Sequence, residues 1–205
     1  MKKVFLTIVA CAFAFVCAQA QNSAVEAATQ LTKTEQFKTN CSFLKESLIS
    51  SFEESGVKIM TILYTNLKTG EQLAGLEFLA SNKAKELTGT AEHLGYLDMD
   101  QVDDFVLALE TILKEAEKTS KQDNCSIAYT APGGIDAYFY SISGSLGTGV
   151  QYVAFRKKWL TTNEFGVQKY TYTQNPPFMS VTKLSKLIAS IKEAQVLANK
   201  AIEQK

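Results

Sequence analysis

Hydrophobic positions along the chain gather into short runs bounded by turn residues, and twice their spacing changes to three and four. Between Val57 and Leu97 three runs have strand character. The first, VKIMTILYT, is rich in β-branched residues; LAGLEFLAS follows the turn signal NLKTGEQ, and TAEHLGYL comes third. From Asp100 to Lys118 the apolar residues Val102, Phe105, Val106, Leu109, Ile112, Leu113 and Ala116 recur three and four apart, which predicts an amphipathic helix. The second half repeats this order. NCSIAYTA, GIDAYFYSIS, VQYVAFRKKWL and FGVQKYTYT predict strands, parted by turn signals at Pro132-Gly133-Gly134, from Gly144 to Gly149 and from Thr161 to Glu164. Pro176-Pro177 then leads into a last helix whose apolar face carries Leu184, Leu187, Ile188, Ile191, Ala194, Ala198, Ala201 and Ile202.

Shifting the last helix back by 82 positions lays its face on the first, Leu184 on Val102, Leu187 on Phe105, Ile188 on Val106 and Ile191 on Leu109. Asn40-Cys41-Ser42 recurs as Asn124-Cys125-Ser126, 84 positions on, so the two landmarks agree in register to within two residues. Such self-similarity marks an internal repeat. The predicted fold is α+β: two tandem ββββα units, about 40–120 and 121–205, each an antiparallel sheet closed by its C-terminal helix, together one domain. The repeat assigns residues 43–52 to a first strand, although Phe43, Leu44, Leu48, Ile49 and Phe52 also pattern as a short helix. Residues 21–39 are polar and rich in Ala, Thr and Gln, and read as a flexible arm or a frayed helix.

Residues 1–20 begin with Lys2 and Lys3, continue as an apolar run and end at Ala18-Gln19-Ala20, the layout of an export signal cleaved before Gln21. Lipidation at Cys11 is disfavoured because the apolar segment before it is very short. The expectation is a periplasmic or secreted protein with no membrane span after cleavage. Losing Lys2 and Lys3 leaves 21 − 2 = 19 basic side chains against 21 acidic ones. This balance argues against a dedicated nucleic-acid binder, which needs a basic excess to neutralise phosphates. Cys41 and Cys125 are the cysteines that survive cleavage, and in an oxidising compartment they are expected to form a disulfide. Its loop of about 84 residues would stabilise the fold by roughly 4 to 5 kcal/mol.

The acidic stretch LDMDQVDD brings Asp98, Asp100, Asp103 and Asp104 together. A helix-loop-helix calcium site needs glycine sixth and glutamate twelfth; counted from Asp98 these places hold Asp103 and Leu109, so the pattern fails. The expected roles are helix caps, Asp100 in the first half and Thr182 at the matching place in the second. No cofactor, metal or catalytic residue is expected, and the rival reading is an enzyme or metal-binding protein using Asp98 and Asp100. His93 is the single histidine, within a predicted strand, too small a supply for a triad or a histidine zinc site. SGSLGTGV reads as a hairpin turn, since a strand follows it. The aromatic load of the second half points to a sheet face that binds. The candidate contact residues are Tyr138, Tyr140, Tyr152, Arg156, Lys157, Lys158 and Trp159, facing an envelope or extracellular protein, or a glycan. Unpaired strand edges would pair within the chain or across a homodimer interface.

YLDMDQVDDFVLALETIL, which closes the first unit, and the Trp-containing strand of the second resemble an uncharacterised group of small exported bacterial proteins. That resemblance implies no particular activity. In element order the chain is also similar to the ββββα tandem repeats of the PUR and Whirly single-strand binders. This implies architecture alone, because those proteins carry basic sheets and this chain is neutral overall; single-stranded nucleic-acid binding stands as the third reading.

Overall fold

The computed structural model describes residues 30–81, 91–144, 149–173 and 176–203. The expected leader, Cys11, residues 21–29 of the expected arm and the middle of the glycine turn lie outside them.

The first sheet is antiparallel in the order β1 (Leu44–Glu54), β2 (Val57–Asn66), β3 (Gln72–Ala80), β4 (Glu92–Asp98). Ser55 and Gly56 join β1 to β2 with both φ positive, the backbone a two-residue hairpin turn needs to match strand twist. Alternation sends Val57, Ile59, Leu76, Phe78 and Leu97 to one buried face. The second sheet holds β5 (Cys125–Thr130), β6 (Ile135–Ile142), β7 (Val150–Thr162), β8 (Gln168–Tyr172) and β9 (Phe178–Ser180). β7 pairs with β6 along one edge, while its other edge takes β9 at residues 152–154 and β8 at 158–162. Pro176 and Pro177 separate β8 from β9, because proline has no N–H to give the ladder. A strand therefore stands where the sequence predicted that the prolines would lead straight into the helix.

Among the described residues the fold is thus α+β, with antiparallel sheets of four and five strands and three helices. α1 (Lys33–Asn40) falls in the segment read as a flexible arm or a frayed helix. Thr32 caps it, accepting from Glu35 N–H while the Glu35 carboxylate accepts from Thr32 N–H, a reciprocal box that satisfies two helix-end donors. α2 (Val102–Lys118) follows a single 3-10 turn at Met99–Gln101, and α3 (Val181–Glu203) follows β9.

α3 packs mainly across β1, β2 and β3 of the first sheet and also against β7 and β9 of the second, while α2 lies along α3 and against β6. The last helix is thus shared by the two sheets, most of it on the first. One apolar cluster results, with Phe105 of α2 edge-on to Phe78 of β3 at 5.7 Å and 6.0 Å from Tyr129 of β5. The sheets meet where β4 reaches the β5–β6 turn. Gly95, at φ +148, sits so close that a Cβ there would lie 2.6 Å from Ile135.

The expected Cys41–Cys125 disulfide is not formed, and both thiols are free. Cys41 ends α1, its N–H donating to Phe37 O, whereas Cys125 opens β5 opposite Ser141 with its sulfur 3.9 Å from Thr119 Oγ1. β1 and β5 are outer strands of separate sheets.

Candidate functional site

The outer face of the second sheet is built by strand alternation. Register places Tyr140 opposite Tyr152, Tyr138 opposite Ala154 and Asp136 opposite Arg156, and β9 adds Phe178 beside Ala154. Every second residue of β6 and β7 therefore rises on one side. The rings touch: Tyr140 and Tyr152 lie 4.6 Å apart edge-on, Tyr138 and Tyr140 5.5 Å apart, and Phe178 is 6.0 Å from Tyr152. Ala154, 3 % exposed, is too short to reach their level and forms the floor of an open groove of about 660 Å³. Tyr138, Tyr140, Phe178 and Arg156 wall it, and Asn124 and Ser126 give it a polar rim.

Arg156 is held in place. Its Nε donates to Asp136 Oδ2 at 2.6 Å, and Asp136, 1 % exposed, also accepts from Thr130 Oγ1 at 2.8 Å. The guanidinium stacks between two rings, 4.6 Å from the centre of Tyr138 and 3.9 Å from that of Tyr172. Lys158 Nζ lies 4.3 Å from the Tyr170 ring centre, on the same face. Burial, with Tyr152 and Tyr138 nearby, pushes the Tyr140 hydroxyl above its ordinary pKa, so it stays a neutral donor and acceptor. The groove offers π faces, hydroxyls and one cation already balanced by a buried carboxylate.

No protein-family model, curated protein or solved structure matches the chain. The reading of the site rests on its own geometry.

Of the seven predicted contact residues, the structure brings together Tyr138, Tyr140, Tyr152, Arg156 and Lys158. It does not bring in Lys157 and Trp159: being odd-numbered on β7, they point to the opposite face and line a separate pocket of about 450 Å³ with Glu92, His93 and Thr173. Treating 156–159 as one run hid this parity. Phe178 and Tyr172 were missed. Tyr172 was visible in the β8 pattern, but a three-residue strand behind two prolines carries too little periodicity to place Phe178.

The acidic stretch is occupied by structural work. Asp98, not Asp100, stands at the cap position, because the 3-10 turn starts the helical path two residues early. The Asp98 N–H donates to Gln101 Oε1, while its carboxylate, 2 % exposed, turns to α1 and accepts from Lys33 N–H, Thr34 N–H and Thr34 Oγ1. Asp100 pairs with Lys33 at 2.6 Å, and Asp103 accepts from Gln195 Nε2. Thr182 is the second residue of α3 rather than its cap, its Oγ1 2.9 Å from Ser180 Oγ. Among the described residues no three His, Cys, Asp or Glu side chains converge on a point where a metal would sit.

Proposed function

We propose that the chain is an exported, non-enzymatic binding module, made of two related ββββα units that share one core, whose ligand seats in the tyrosine groove of the second sheet. The observation that supports this most is the notch over Ala154, with aromatic walls on both sides and a hydroxyl and amide rim. Such a surface suits a neutral saccharide: the C–H faces of a sugar ring stack on aromatic rings while its hydroxyls exchange hydrogen bonds with Tyr140, Asn124 and Ser126. The paired state of Arg156 argues for a neutral ligand over an anionic one. It also weighs against single-stranded nucleic acid, as does the charge balance of the chain. An enzymatic reading through Asp98 and Asp100 loses ground because both carboxylates already hold α1.

A peptide ligand is the second reading, favoured by β5, an edge strand whose first residues line the groove and whose free side is open to strand addition. A glycan array followed by calorimetry on the hits separates the two. Saccharide binding that Tyr140→Ala and Tyr152→Ala abolish, with melting unchanged, supports the first reading. Absence of any glycan binding, with capture of an envelope protein that blocks β5 from hydrogen exchange, supports the second; failure of both removes the groove as the site.

A further inference from the structure

The β7–β8 hairpin leaves the body as a two-stranded ribbon. β6 accompanies β7 as far as Lys157, so residues 158–162 of β7 are laddered to β8 alone. The turn at the end of the ribbon is firmly built. Asn163 Oδ1 accepts from Phe165 N–H at 3.0 Å and Val167 N–H at 2.8 Å, Asn163 N–H donates to Val167 O, and Gly166 takes the positive φ of +75 that closes the turn. This fixed backbone holds two apolar side chains out in water, Phe165 82 % exposed and Val167 58 % exposed. Lone exposed apolar residues are ordinary, but two at the end of a projecting, self-braced turn form a wedge.

Charge sets the wedge apart from the rest of the chain. With Arg156 balanced by Asp136, residues 157–172 still carry Lys157, Lys158 and Lys169 against the single acid Glu164, while the whole sequence balances 21 bases with 21 acids. We propose that this hairpin docks on the surface of an anionic lipid bilayer, Phe165 and Val167 entering the acyl boundary and the lysines meeting lipid phosphates. Lys169 pairs with Thr161 and Lys158 with Tyr172, one and four positions above the Thr162–Gln168 pair at the base of the turn. At about 3.3 Å per residue, a tip sunk roughly 5–10 Å sets Lys169 among the headgroups and Lys158 just outside them, within reach of the surface potential. A protein partner fits less well, since two side chains at a tip fall far short of the roughly 800 Å² a specific interface takes from each side. This docking uses different residues from the groove and stands or falls separately.

Trp159 is the only tryptophan of the chain, but it lines the pocket with Glu92 and His93 and stands beside Lys158, above the acyl boundary in this docking. The reporter is therefore moved to the tip of the full chain by Trp159→Phe with Phe165→Trp. The test uses vesicles of phosphatidylcholine, with or without phosphatidylglycerol, doped with lipid brominated high on the acyl chain. Quenching of the tip tryptophan is expected on the anionic vesicles, falling as salt is raised. In flotation with the same vesicles, Phe165→Ser combined with Val167→Ser should weaken binding of the otherwise unaltered chain roughly tenfold or more, and Lys169→Glu by a smaller factor, with melting temperatures unchanged. Equal quenching on phosphatidylcholine alone, undiminished binding of the double variant, or vesicle binding that leaves the tip tryptophan unquenched would each overturn the proposal.

Discussion

The outer faces of the two sheets both hold a cation between two tyrosine rings, yet one face is shut and the other open. On the first sheet the cation is Lys38, 5.0 Å from the centre of Tyr64 and 4.9 Å from that of Tyr96. On the second it is Arg156, between Tyr138 and Tyr172. Lys38 comes from α1, a separate element, and also donates to Tyr96 Oη and pairs with Glu46 at 2.8 Å. Its docking roofs the sheet and leaves Tyr64 fully buried. Arg156 belongs to β7 and is held from within its own sheet by Asp136, so the face stays accessible. The same side-chain pattern seals a surface or displays it, according to whether the cation arrives on another element.

Removing the anchor of the roof is the strongest way to break this contrast. Asp98→Ala strips acceptors from two N–H groups at the start of α1 and from Thr34 Oγ1, and should lower stability by about 3 kcal/mol in denaturant titrations. Hydrogen exchange should show α1 losing protection; a protected α1 in this variant would mean that Asp98 does not hold the roof. Asp136→Ala, the counterpart on the open face, should cost about 2 kcal/mol, because Arg156 is part exposed and water can take over some of its bonding. Ligand affinity should fall with it as Arg156 loosens.

The pH dependence of stability probes the shut side next. Burial above all, then Lys157 and Lys38, pushes His93 down to about 4, and the Glu77 carboxylate 3.4 Å away does not reverse this. In the unfolded chain a histidine titrates near about 6.5. Between those values the unfolded state takes up a proton that the folded state refuses. Stability should therefore fall by at most about 3 kcal/mol as pH drops from about 6.5 to 4, and level off below. Burial raises Glu77, which works in the opposite sense in acid and makes the slope shallower. His93→Gln should flatten the window, and an unaltered slope in that variant would assign it elsewhere. The smallest stability change is expected for Tyr140→Ala, about 1 kcal/mol or less, since the ring is half exposed and supported from one side. Its effect should appear in ligand binding instead, which is what distinguishes a displaying face from a sealing one.

The elements were largely legible in the sequence because each rests on local pattern. Strand-like runs found β2 to β8, the repeat supplied β1, and the three-four spacing found α2 and α3. α1 was harder. Its Thr32-Lys33-Thr34-Glu35 box was in view, but the helix has no apolar stripe, and Asp98, which holds it, lies 64 or more positions away. Partner choice was not legible at all. The apolar stripe of α3 says which side is buried, not that β1, β2 and β3 bury it. The cysteines were matched by compartment and repeat, which carry no distance, and the groove was half found, since tyrosine parity was read on β6 but not carried through Lys157 and Trp159 on β7.

The placement of the last helix sets a schedule for the chain. The strands synthesised first bury their inner face under a 23-residue helix synthesised after every strand. An emerging polypeptide holding only residues up to about Lys118 lacks most of the cover of its first sheet, which is completed only when the last helix is delivered. Cleavage in the connection between Lys118 and Cys125 followed by separation of the pieces would strip the first sheet of its main cover rather than yield two smaller proteins.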